Sequence, residues 1–140
     1  MTVFRERIAG LLAPFVDLRT SGPNGDEALG FDYGAVPFAA QVVTLTDGLD
    51  VVSLTGVLGW DLPLDDDVRA RVVTAADAVQ FGSVHLIERD AEADVVLRYS
   101  FPISGLEDTA LTTMLLLVLD GAASAREAVG AGAGSTDETP

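Results

Sequence analysis

Cysteine and lysine are both missing from this 140-residue chain, and histidine and tryptophan occur once each. Without cysteine no disulfide can staple the fold, and with a single histidine besides, zinc has no ligand set. Positive charge is scarce as well. Eight arginines, scattered over positions 5, 7, 19, 69, 71, 89, 98 and 126, face 22 carboxylates for a net charge of -14. Such a surface repels a phosphate backbone and an anionic lipid surface alike, so neither nucleic acid nor membrane is an expected partner. The longest unbroken apolar run, 114–119, has six residues, against the roughly twenty a bilayer requires, so no spanning helix is expected. Charges within MTVFRERIAG displace the apolar segment of a signal peptide, and the reading is of a cytoplasmic protein.

What is present suffices for one core. A chain of this length buries roughly two thirds of its unfolded surface, and 49% of its residues are hydrophobic. We expect a single α+β domain over 1–129 and a disordered acidic tail over 130–140, where GAGAGSTDETP holds too little apolar side chain to offset its ordering entropy. Phe4, Ile8, Leu11 and Leu12 recur at helical spacing behind Thr2 and stop at Pro14, giving a short first helix. The turn residues of 20–26 form a surface connector. Asp47-Gly48 between two β-branched runs supplies the positive φ of a two-residue hairpin turn. An uninterrupted ladder from Thr46–Leu49 pairs Val43 with Val52 and Val42 with Ser53. One face then carries Val43, Leu45, Val52, Leu54 and Leu58 as core, and the other carries Phe38, Val42, Val51 and Val57 among Thr44, Ser53 and Thr55. The second face is neither dry nor fully polar.

Asp65, Asp66 and Asp67 suit the start of a second helix, whose stripe is Val68, Val72, Ala75 and Val79 and whose end is Gly82. Strands over 83–88 and 93–101 follow, the latter turning Val95, Leu97, Tyr99 and Phe101 inward. Ser104 and Glu107 have the spacing of a capping box for a third helix over 105–128. Its apolar arc covers about half the circumference, beyond the roughly 100° stripe that one sheet face covers. Leu116 and Leu119 widen that arc, so another helix or a second subunit must cover it. The expected architecture is an antiparallel sheet packed by helices in two layers, in the order α-β-β-(β)-α-β-β-α.

Residues able to do chemistry are few. A Ser-His-Asp triad would have to be built on His85, which has no GxSxG elbow to serve and reads as a partly exposed strand residue. The Asp65–67 run lacks the spaced oxygens and glycine of a calcium loop and reads as a cap. The glycines fall into no phosphate-binding pattern. No spacing among the 22 carboxylates selects a catalytic pair, which leaves a carboxylate enzyme as a remote alternative. No cofactor is expected. Trp60 in LGWDLP is either a core plug or an anchor for a partner. With the semi-apolar sheet face and the wide third helix it yields the candidate partner-binding residues Phe38, Val42, Val51, Val57, Trp60, Ile87, Val96, Leu116 and Leu119.

The stretches QVVTLTDGLDVVSLTGVLG, GSVHLIERDAEADVVLRYSFP and LEDTALTTMLLLVLDGAASAREAV, in this order in a small acidic chain, resemble the type III secretion chaperone-like fold, in particular the YbjN-like bacterial proteins. The resemblance covers residues 31–128. It implies helices layered on an antiparallel sheet, a homodimer, and apolar patches holding segments of a client or regulatory protein, with no catalytic residues. That family has a third strand before the second helix, which here only 28–33 or 58–62 can supply. A small regulatory or sensory domain binding a ligand or partner is the alternative.

Overall fold

The computed structural model describes residues 2–18 and 28–133, in the order α1 (Thr2–Leu12), β1 (Asp17–Leu18), β2 (Ala28–Tyr33), β3 (Val36–Thr46), β4 (Leu49–Pro63), α2 (Asp66–Ala78), β5 (Ser83–Arg89), β6 (Glu92–Pro102) and α3 (Asp108–Ala133). The connector 20–26 and the tail residues 134–140 lie outside the described residues, while 130–133 are the last turn of α3. The strands form one antiparallel sheet in the order β1-β2-β3-β4-β6-β5. Thus 28–33 is the additional strand, and 58–62 belongs to the long β4.

All three helices lie on one face of this sheet, α1 over β2 and β3, α3 in the middle, and α2 against α3 and β5. The layer explains the breadth of the α3 arc. Leu111, Leu115, Val118, Leu119, Ala122 and Ala125 are buried between the sheet and the flanking helices, so helices of the same chain provide the cover. Leu117 points away and is 42% exposed. By length and composition Asp108–Gly130 would also cross a bilayer, contrary to the expectation drawn from the six-residue run; here it is the central core helix. Arg7 ties α1 to the start of α3, donating from Nε to Asp108 Oδ1 at 2.8 Å and from Nη2 to the Leu106 carbonyl at 2.6 Å.

Local chemistry sets the remaining ends. Asp65 is extended and its side chain accepts from the Val68 N–H at 2.9 Å, the cap expected of it, with Asp66 and Asp67 in the first turn. The Ser104–Glu107 capping box does not form. Ser104 Oγ instead accepts from the Asp50 N–H, clamping the start of β4, and α3 begins at Asp108.

The hairpin departs from its expected register. Thr46 pairs with Leu49, but Thr44 pairs with Asp50, leaving Leu45 as a bulge, so Val43 opposes Val51 and Val42 opposes Val52. One extra residue exchanges the faces of β3 relative to β4. Phe38, Ala40 and Val42 therefore turn toward the helices with Val52, Leu54 and Leu58, and Val43 and Leu45 turn out to 42% and 64% exposure.

Candidate protein-binding face

The side of the sheet away from the helices has nothing over it among the described residues. Strand pairing arranges it in rows. Val43 stands beside Val51 and Pro102. Gly30, Ala39, Thr55, Arg98 and Ser83 form a second row. In a third, Asp17 and Asp32 lead to Pro37, then, one step beyond the Phe38–Gly56 pair, to Val57, Val96 and His85. Ile87 and Asp94 continue it toward one corner. The middle of the face is apolar and short-chained, the β1–β2 side carries Asp17 and Asp32, and the β6–β5 side carries Arg98 and His85 together with Asp94. Arg98 and His85 are both exposed, and Arg98 makes no ion pair among the described residues.

The corner holds an ion-pair cluster. Arg89 Nη2 donates to Asp61 Oδ1 at 2.8 Å and to Asp94 Oδ1 at 2.6 Å. Asp94 also accepts from the Asp61 N–H at 3.0 Å, which holds Asp61 at its positive φ of 55° where β4 breaks register. That backbone donor, and after it the Arg89 guanidinium, hold the Asp94 carboxyl below its ordinary value. A carboxylate depressed in the folded state stabilises above its unfolded value, 3.8, and loses that contribution as the pH falls through the folded value. We therefore expect Asp94→Asn to lower Tm at pH 6 and the deficit to shrink below pH 3.8. Paired melts of both proteins from about pH 2 to about pH 7 check this, and a deficit unchanged by acid would assign the effect to something other than the carboxylate.

Of the residues singled out in the sequence, Val51, Val57, Ile87 and Val96 do share this outer face, with Val96 the best shielded of them at 6% exposure. Phe38 does not: it is 1% exposed and stacked on Phe31, ring centroids 5.3 Å apart, because the bulge turns it inward. Val42 sits half-buried on the inner side for the same reason. Leu119 is wholly buried, and Leu116 packs against the core from the side of α3. Trp60 is no plug. It is 52% exposed on the helical side, with the Arg126 guanidinium 5.8 Å from its ring centroid and Arg126 Nη1 donating to the Leu58 carbonyl. The residues missed are Val43 and Leu45, assigned to the core by the uninterrupted register, and Ala39 and Arg98, whose row only the sheet order reveals.

His85 stands exposed on edge strand β5, as its alternation indicated, beside Val96. No group of three His, Asp or Glu side chains able to hold a metal occurs among the described residues. An open groove of about 540 Å³ lies between the β2–β3 turn at Gly34 and Ala35 and the last turns of α3 at Ala123, Arg126 and Gly130. It is shallow and mostly apolar, with Arg126 and Glu127 as its charged residues.

No protein-family model matches this chain, and no curated protein does. A solved structure does: YbjN from E. coli, a putative transcription regulator, superposes with a TM-score of 0.56 over 93% of this chain and 92% of its own, at 12% sequence identity. The fold is YbjN-like, an α+β open antiparallel sheet with helices on one side.

Proposed function

We propose that this chain is a non-enzymatic, chaperone-like protein-binding module that works as a homodimer and holds a segment of a client or regulatory protein. The observation carrying this reading is the bare side of the sheet. A sheet is stable when both faces are either covered or polar. Here one is covered by three helices, and the other exposes Val43, Leu45 and Ile87 around the half-buried Val51 and Val57. Patches of this kind on an otherwise charged protein mark contact sites. The surrounding carboxylates keep a protein with such a patch dispersed. The description of YbjN as a transcription regulator supports a regulatory setting. With a net charge of -14, regulation by this chain runs through protein contacts and not through DNA phosphates. The groove at Arg126 and Glu127 favours a second reading, a sensory domain for a small ligand, in which the ligand raises Tm without any protein partner.

The test compares proteins retained from a cell extract by the parent chain, by Val43→Asp, by Ile87→Asp, and by Val42→Ser as a control from the inner side. Loss of retention in the two outer-face variants, with melting curves near that of the parent, is the expected result. Identical retention by all four sinks the reading.

A further inference from the structure

We propose that Asp47, at the tip of the β3–β4 hairpin, is a site of spontaneous conversion of aspartate to isoaspartate. The fold permits this change of the main chain at Asp47-Gly48 and opposes it at the other Asp-Gly pair of the chain, Asp120-Gly121. The inference goes beyond the protein-binding reading and does not rest on it.

Glycine after aspartate favours the chemistry, because it has no side chain to screen its amide and it reaches backbone conformations that other residues avoid. The Gly48 nitrogen attacks Asp47 Cγ. The N–Cγ bond forms, the bond from Cγ to the carboxyl hydroxyl breaks, and that hydroxyl leaves as water with the amide proton. The product is a succinimide ring, which water opens at either carbonyl. Opening at Cγ restores aspartate. Opening at the main-chain carbonyl leaves Gly48 joined through Cγ, so that Cβ enters the backbone and a free α-carboxylate projects from it. One water leaves and one returns, and nothing is oxidised or reduced.

What separates the two pairs is how each is held. β2 accompanies β3 only as far as Gln41, and β6 accompanies β4 only from Val51. Beyond those limits the hairpin pairs with itself alone among the described residues. Its last tie to the sheet is Asp50, whose N–H donates to Ser104 Oγ and whose carbonyl accepts from the Ile103 N–H. A ribbon of two strands is marginally stable in water, so the tip opens far more cheaply than the whole domain. The bulge at Leu45 breaks the ladder beside the turn, and Thr46, Asp47 and Gly48 are all exposed. Neither the Asp47 carboxylate nor the Gly48 N–H has a partner among the described residues.

Asp120 lies mid-way along α3, and its carboxylate accepts from the Tyr33 hydroxyl. There the helix engages the Gly121 N–H in an i to i−4 bond. Freeing that nitrogen means opening the core helix, where the adjacent Leu119 and Ala122 are wholly buried. At the tip, by contrast, the inserted atom lengthens a two-residue turn, and the Thr46–Leu49 closure that sets β3 against β4 is lost.

The endoproteinase that cuts before aspartate does not cut before isoaspartate, which makes the two sites separately readable. The folded chain is held warm at mildly acidic pH and sampled over time. An uncut 32–49 peptide with neither gain nor loss of mass should accumulate, while the cut before Asp120 stays complete. An isoaspartyl methyltransferase, which passes a methyl group from S-adenosylmethionine to the freed α-carboxylate, should label that peptide. Conversion at Asp47 should run roughly tenfold or more ahead of Asp120 in the folded chain, and the two should converge in urea. Asp47→Glu, which cannot close the five-membered ring, should yield no labelled 32–49 peptide. The Asn24-Gly25 pair falls in a different fragment, 17–25, and announces itself by the mass gain of deamidation. Cutting before Asp47 that stays complete in the folded chain, or conversion at Asp120 as fast as at Asp47, overturns the proposal.

Discussion

Leu115→Asp should abolish the cooperative thermal transition, whereas Leu117→Asp, two residues further along the same helix, should melt within a few degrees of the parent. Leu115 has no accessible surface and lies in the main core cluster; Leu117 is 42% exposed. Truncating a leucine at a fully buried site costs about 2–5 kcal/mol. Placing an unpaired carboxylate there adds its desolvation, which among apolar neighbours is several kcal/mol more. A domain of this size holds about 5–15 kcal/mol in all, so the first substitution consumes most or all of it. The second removes part of an exposed side chain and adds a charge that stays in water. Circular dichroism at the helical minimum, followed against temperature, separates the two outcomes. If Leu117→Asp also unfolded the protein, the outward side of α3 would be a buried surface and not a solvent-facing one.

The contrast between those two leucines was only partly legible in the sequence. Both fell within the wide apolar arc, and periodicity alone says that the arc must be covered, not by what. The cover came from α2 and α1, elements whose position over the sheet depends on long-range packing. The hairpin shows the same division between local and non-local information. Asp47-Gly48 fixed the turn, and the alternation in β4 and β6 fixed their inner sides, because those patterns sit in single strands. The inner side of β3 depended on a bulge at Leu45, and no residue type there announces it. A clue did exist in the neighbouring strand. In β2 Leu29 and Phe31 alternate with Gly30 and Asp32, and the two-residue turn at Gly34 and Ala35 sets Phe31 opposite Phe38. Following that pairing places Phe38 inside and forces the bulge. The Ser104–Glu107 box failed for a different reason: its serine was taken by the Asp50 N–H, 54 residues away in sequence. Of the candidate site, Val51, Val57, Ile87 and Val96 were readable from alternation, and the errors fell on β3, on α3 and on Trp60, where β4 breaks register. Arg98 was invisible as a site residue because its meaning is its row, opposite in sign to Asp17 and Asp32 across the sheet.

The same Phe38 makes Gly56 the most sensitive small residue of the sheet. Gly56 pairs directly with Phe38, and the ring lies across the glycine so closely that an added Cβ would stand 2.6 Å from Phe38 Cε1 and 2.9 Å from Cζ. Real Cβ atoms do not approach a ring carbon that closely, so Gly56→Ala forces the ring aside. The ring has nowhere to go. It is stacked on Phe31 at an interplanar angle of 9°, and both side chains are at most 1% exposed. Displacing it means an off-rotamer phenylalanine or a backbone shift in β4, at about 1–3 kcal/mol. Gly56 has no positive φ to lose, so the whole effect is steric. That separates it from Gly34→Ala in the β2–β3 turn, where nothing lies within 4 Å but φ is +59°, and where backbone strain alone costs about 1 kcal/mol. A double-mutant cycle distinguishes the mechanisms. Phe38→Leu removes the obstructing ring and is itself destabilising, but in that background Gly56→Ala should cost little, giving a coupling on the order of 1 kcal/mol or more. Chemical denaturation of the four proteins measures it. Strict additivity would mean that Gly56 is required for something other than the ring above it, and the inward placement of Phe38, on which the whole outer-face assignment of β3 depends, would have to be given up.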